Sequence, residues 1–313
     1  MAKKWYRPLV HGLIDALTQF FFALALLFPY RLFLRMGRVF GQVFYFTSKR
    51  HRDVAQASMK QAFGNDVAKN TKLIRDMFSD TIEMLFEMFF YASRKVDPAP
   101  NAVIEGEENL KEALARGKGV IAISAHMGCF PTMMAALAMK GYTLQIMMRP
   151  LKNEKLGANA DRIMRSYKAT PIYSYPRDKA IVDSIRCVKK NGMLVILLDQ
   201  NYGSGGVWVD FFGELPATPT GATVLALRTG ATVLPMYTVR DKLGHHRIII
   251  EKPYEIVRYP TDDESILRNV ANLTKIIEGW IRTYPRNWFW FHKRWKSRPS
   301  EKVLSRPFMV DKT

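Results

Sequence analysis

Gly119-Val-Ile-Ala-Ile-Ser-Ala-His126-Met-Gly-Cys-Phe-Pro131 is the stretch on which the fold turns. Val120 to Ala125 is a short apolar run of β-leaning residues, set off by the turn-forming Gly117-Lys118-Gly119. Thr132 to Met139 then reads as a helix, with Pro131 tolerated in its first turn. A strand running into a helix places His126 at the carboxyl end of a buried strand, where α/β folds gather their chemistry.

Outward from there, strands and helices alternate from about Asn101. Strands are expected at Ala102 to Glu105, Val120 to Ala125, Thr143 to Met148, Met193 to Leu198, Thr232 to Tyr237 and Arg247 to Glu251. Helices are expected at Glu107 to Arg116, Thr132 to Lys140, Lys155 to Tyr167, Arg177 to Lys190, Thr220 to Thr229 and Asp262 to Tyr284. The alternation predicts an α/β core, residues 101–313, with a mainly parallel sheet flanked by helices. Pro235 inside a predicted strand calls for an edge position or a bend.

Residues 1–46 read as an N-terminal membrane-anchoring helical region, and residues 47–100 as a further helical segment. Lys3, Lys4 and Arg7 precede the mostly apolar Leu13 to Phe28, and Arg31, Arg35 and Arg38 follow it. Asp15, Thr18 and Gln19 interrupt that run, whereas a full span needs ~20 apolar residues. No cleavage-site pattern follows it, so an uncleaved anchor is expected, inserted or lying in the interface with basic flanks on anionic headgroups. Leu32 to Phe46 is a second apolar helix, Ser48 to Phe63 a basic amphipathic one, and Asn70 to Ser93 a third with apolar residues at helical spacing.

The formal charge of +19 requires an anionic partner. No helix-turn-helix, zinc-finger or RNA-binding aromatic pattern accompanies it, so nucleic acid is set aside in favour of anionic membrane lipids. Cys129 and Cys187 are the two cysteines, and neither has metal-ligand spacing to another cysteine or a histidine. A reducing compartment is expected, with no disulfide, metal or cofactor.

Four blocks lie at strand ends: His126; Arg149 before Pro150; Asp199-Gln200-Asn201 running into a glycine-rich loop; and Val233-Leu-Pro235. A base, a planar cation, a carboxylate and a flexible loop at one mouth suit acyl transfer to a hydroxyl. His126 takes the acceptor's proton, backbone N–H groups near Gly128 and Cys129 hold the oxyanion, and Arg149 grips a phosphate or carboxylate with two prongs.

With these residues in view, the chain resembles the lysophospholipid acyltransferase superfamily, in particular the bacterial branch that adds secondary acyl chains in lipid A biosynthesis. The stretches that carry the resemblance are Asp199-Gln200, Phe211-Phe-Gly213, Ala217-Thr-Pro-Thr-Gly221, Leu227-Arg228-Thr-Gly230, Val233-Leu-Pro235 and Pro285 to Arg298 with Trp288-Phe-Trp-Phe-His-Lys-Arg294. The resemblance implies an acyl-carrier-protein or CoA thioester donor, a glycolipid acceptor such as a lipid A precursor, and the cytoplasmic face of the inner membrane. It also implies substrate contacts at Gly213, Thr220 and Arg228.

One departure stands out. The family's first block is a histidine followed, after four residues, by Asp or Glu, and that position here is Pro131. Asp199 is the expected substitute, with Cys129 as a covalent nucleophile the lesser alternative. Two other readings stay open. One is an acyltransferase for another amphiphile, such as a lysophospholipid, an aminoacyl lipid or a pigment precursor. The other is a non-catalytic descendant that binds acyl chains or carrier protein.

Overall fold

The computed structural model describes residues 7–300 except Lys152 and Ser204. Lys3 and Lys4, read as the first basic flank of the anchor, lie outside the described residues. Four helices come first: α1 (Arg7–Leu27), α2 (Tyr30–Thr47), α3 (Lys49–Phe63) and α4 (Val67–Arg94). An alternating region follows: β1 (Ala102–Glu105), α5 (Glu107–Ala115), β2 (Val120–Ser124), α6 (Phe130–Met139), β3 (Leu144–Met148), α7 (Glu154–Ser166), β4 (Ala169–Tyr173), α8 (Arg177–Lys189) and β5 (Met193–Leu197). The short pair β6 (Val207–Trp208) and β7 (Ala217–Thr218) leads to α9 (Gly221–Thr229), β8 (Thr232–Lys242), β9 (His245–Ile250) and α10 (Asp262–Thr283).

Seven strands form one sheet in the order β1-β9-β8-β2-β5-β3-β4. From β8 to β4 every pairing is parallel, and β9 runs antiparallel to β8 and parallel to β1. The mainly parallel sheet expected from the alternation is therefore present. Pro235 does not lie on an edge strand: β8 is interior, its pairing with β2 ends at Ile123–Pro235, and its pairing with β9 begins at Met236. The missing N–H of proline falls where one ladder hands over to the other.

The period of two along β2 divides the core. Ile121 and Ile123 join a layer with Ala180 and Val188 of α8, Leu225 of α9 and Ile277 of α10. Val120 and Ala122 face Leu110 of α5 and Met133 and Leu137 of α6. A third cluster ties the amino-terminal helices together through Phe33, Leu34, Phe86 and Phe90. Helices α2 and α4 approach closely at Gly37 and Gly41, where a Cβ on Gly41 would lie 2.5 Å from the Cα of Ser79.

Helix α4 also reaches the sheet through buried charge. Glu87 accepts from Tyr30 Oη at 2.7 Å, from Arg240 Nη2 at 3.0 Å and pairs with His246 Nε2 at 2.7 Å. Glu83 pairs with Arg240 and with Arg38. Burial alone would raise the Glu87 carboxyl, but His246 and Arg240 outweigh it and hold the group well below the usual range.

Among the described residues no helix is long and apolar enough to cross a membrane. This corrects the spanning form of the anchor: Asp15, Thr18 and Gln19 dilute α1, and α2 carries Arg31, Arg35 and Arg38. What α1 and α2 do present is exposed apolar surface, at Leu13, Leu17, Phe20, Leu26 and Leu27 on one and Leu32, Val39, Phe40, Val43 and Phe46 on the other.

Candidate active site

The sheet's interior strands deliver two side chains to one point. Strands β2 and β5 pair in register up to Ser124–Leu197, so the residues just beyond them, His126 and Asp199, emerge side by side. His126 Nδ1 lies 2.9 Å from Asp199 Oδ1, and the His126 backbone N–H donates to Oδ2 at 3.0 Å. Asp199 is buried, while the His126 side chain keeps 22% of its surface. Pro131, at the family's acid position, lies in the first turn of α6.

A second donor braces the carboxylate: the indole Nε1 of the buried Trp288 reaches Asp199 Oδ2 at 2.7 Å. Burial pushes the Asp199 carboxyl up, but the His126 charge and the hydrogen bonds from His126 and Trp288 outweigh it and bring it down to about 2. Asp199 is thus an anion at any ordinary pH.

The segment after α10 straps the histidine loop in place. Gly128 N–H donates to Asn287 O at 2.7 Å, Phe289 N–H donates to His126 O at 3.2 Å, and Met127 bridges Trp288. Asn287 Oδ1 accepts the Arg240 N–H at 2.8 Å. Gly128 is required here: its φ is +54°, and a Cβ would stand 2.4 Å from Thr238 O. Phe130 and Phe289 lie edge-on and tilted against the imidazole, at 5.1 and 6.2 Å between centroids.

Farther along the strap, Arg294 is completely buried. It donates to Gln200 O at 3.2 Å, to Ala217 O at 2.7 Å and to Thr218 Oγ1 at 2.6 Å, fastening the Asp199 loop to β7. Burial lowers its guanidinium to about 10, with Asp199 opposing. His292 is lowered to about 4, first by burial, against the pull of Asp199 and with help from His126, Arg294 and Arg149. Its Nδ1 is buried without a partner among the described residues.

The other residues singled out from sequence are not all at this point. Arg149 follows β3, is exposed, and lies close enough to act on His292. Gly213 occupies the exposed tip of a turn closed by Phe211 and Glu214, with φ +78° and open space where a Cβ would go. Phe211, two residues earlier, packs against Trp288 with centroids 5.8 Å apart. Thr220 precedes α9 and makes no side-chain cap bond. Arg228 is exposed in the last turn of α9, which leads into the first residues of β8, so it sits at the end of the sheet away from His126. The Gly128 N–H is taken by Asn287 and is not free for an oxyanion. Cys129 is fully buried, shares a hydrogen bond with Thr132, and has its thiol pushed up by burial, which does not suit a nucleophile.

Glu87, Cys129 and His246 bring three potential ligand atoms within 4.8 Å of one another. The Glu87 oxygens are already occupied by Tyr30, His246 and Arg240, and the guanidinium disfavours a cation, so the group reads as a polar core linkage.

Trp288, Asn287 and Arg294 carry the strap, and nothing in the sequence assigned them roles. The signal was the aromatic and basic run Trp288 to Trp295, whose density is unusual for a loop.

Fold and geometry define the class: an α/β protein with a histidine–aspartate pair at the mouth of a mainly parallel sheet. The chain belongs to the bacterial lipid A biosynthesis acyltransferase family, whose model matches residues 2–297, and it is an acyltransferase. It is 28% identical over 290 residues to the lipid A biosynthesis palmitoleoyltransferase of Escherichia coli, covering 87% of each chain. To the lauroyltransferase of the same organism it is 24% identical over 293 residues, covering 89% of each. Similarity extends to a phosphatidylinositol mannoside acyltransferase of Mycobacterium tuberculosis, 26% identical over 214 residues, or 66% of this chain and 64% of that one.

Proposed function

We propose that this protein moves a fatty acyl chain from an acyl-carrier-protein thioester to a hydroxyl of a glycolipid such as a lipid A precursor, with His126 as general base. The observation that carries the reading is the 2.9 Å contact between His126 Nδ1 and Asp199. With Nδ1–H held by an anion, Nε2 is the acceptor nitrogen. The acceptor hydroxyl attacks the thioester carbonyl as Nε2 takes its proton. The tetrahedral intermediate then collapses, the C–S bond breaks, and the proton passes to the leaving thiolate. Asp199 offsets the charge that grows on the imidazole, the task the family gives to the acid replaced here by Pro131. Arg149, exposed beside the mouth, is our candidate for an anionic group of the substrate.

A carboxylate on the imidazole speaks against a non-catalytic descendant. Relatives named for lipid A acylation support the glycolipid acceptor. The similarity to a phosphatidylinositol mannoside acyltransferase favours a second reading, in which the acceptor is another amphiphile. In either case the exposed apolar face of α1 and α2, with Arg31, Arg35 and Arg50 exposed nearby, suits the anionic cytoplasmic surface of the inner membrane. Mass spectrometry of lipids from cells with and without the gene tests the proposal. Loss of one acyl chain from lipid A species is expected. An unchanged lipid A with a different lipid altered would favour the second reading, and an unchanged lipidome would contradict both.

A further inference from the structure

Beside the His126–Asp199 pair, at the β4 edge of the sheet, three exposed cations stand without a carboxylate partner among the described residues. Arg149 follows β3, and the Ser174 N–H donates to Met148 O at 2.8 Å, which sets Arg149 next to the turn between β4 and α8. That turn carries Tyr175, 75% exposed, and then Arg177 and Lys179 in the first turn of α8. Arg177 Nη2 donates to Tyr202 Oη at 3.3 Å, and Tyr202 belongs to the loop that leaves Asp199. Ile181 and Val182 extend the exposed apolar surface along α8. Of the acidic residues on this helix, Asp183 is paired with Arg186 at 2.6 Å, leaving Asp178 beside the two cations.

We propose that this edge docks an acidic carrier protein, which presents its acyl thioester to His126. The inference rests on the thioester-donor reading above and adds the surface that receives the donor. Unpaired cations around a few exposed apolar side chains are what an acidic protein partner needs: the charges steer the encounter and fix its register, and the apolar centre desolvates. A bilayer fits less well, because Leu151, Tyr175, Ile181, Val182 and Tyr202 offer less to insert than the ten exposed apolar side chains described on α1 and α2.

The test measures steady-state transfer by the full-length protein from two donors bearing the same acyl chain, acyl carrier protein and a small neutral thiol. The comparison is between wild type and Arg177→Glu/Lys179→Glu. We expect KM for the carrier thioester to rise about tenfold or more, as expected when electrostatic steering is reversed, with kcat and the small-thioester rate unchanged. Added salt should raise the wild-type KM for the carrier and leave the variant's nearly flat. An unchanged carrier KM in the variant overturns the docking surface while leaving the donor reading intact. The same holds if the variant instead loses affinity for anionic vesicles at unchanged carrier KM, which would make the edge a lipid contact. A wild type that uses the small thioester but not the carrier thioester overturns the donor reading and the surface with it.

Discussion

His126 is held from two sides, by Asp199 at its Nδ1 and by the strap at its carbonyl, and Asp199 is itself held by Trp288. A hydrogen bond to a charged, buried group contributes about 1.5–3 kcal/mol. Trp288→Phe keeps the ring but removes the N–H, so kcat should fall roughly tenfold or more with little change in KM, measurable by steady-state kinetics. His292 supplies a pH dependence. Its folded value of about 4 lies below its ordinary 6.5, so in that window the unfolded chain binds a proton that the native one does not. The stability from keeping it neutral is complete above pH 6.5 and is lost as pH falls toward 4. Thermal unfolding should therefore show a larger drop from pH 7 to pH 5 for wild type than for His292→Gln. His126 and Asp199 were legible because each ends an apolar strand. Trp288 and Arg294 were not, since their partners lie 89 residues away for Trp288 and at least 76 for Arg294, and no local period announces a chain that folds back over a strand mouth.

At the level of elements, the amino-terminal helices are bound to the sheet by ionic as well as apolar contacts, with Glu87 at the centre. Breaking a buried, hydrogen-bonded pair leaves charge uncompensated and costs about 3–5 kcal/mol. Glu87→Gln should lower the unfolding free energy by an amount of that order, read as a fall in the urea midpoint, with Arg240 and His246 losing their anion. A midpoint unchanged within error would mean that the Glu87 contacts add nothing to the hold on α4. Periodicity located α4 and most of the α/β elements to within a few residues, because their apolar faces repeat at helical or strand spacing. It did not find β4, Ala169-Thr-Pro-Ile-Tyr173, where a proline on the outermost strand hides a short element. It also ended β8 too early, at Tyr237 rather than Lys242, since the extension is fixed by its antiparallel pairing with β9. The pairs that couple α4 to β8 and β9 join residues more than 150 apart and leave no mark on sequence period.

Across the whole molecule, the proposed function gives membrane contact to two features, a charge of +19 and the exposed apolar faces of α1 and α2. Each well-placed cation near an anionic surface contributes roughly 1 kcal/mol, and salt screens that part but not the apolar part. Phe20→Asp, Phe40→Asp and Phe46→Asp together should leave binding to anionic vesicles at low salt but abolish it at high salt. Wild type should stay bound in both, as read by co-sedimentation. Retention of the triple variant in high salt would mean that another surface inserts.

The proposed transfer chemistry rests on the paired action of His126 and Asp199. Transfer rates of His126→Ala, Asp199→Asn and the double variant, with carrier thioester and glycolipid acceptor, measure it directly. Each single change should lower kcat on the order of 10²- to 10⁴-fold, and the double variant should be little worse than either, because the two groups act as a unit. Transfer that survives His126→Ala, or losses that multiply in the double variant, would contradict the account.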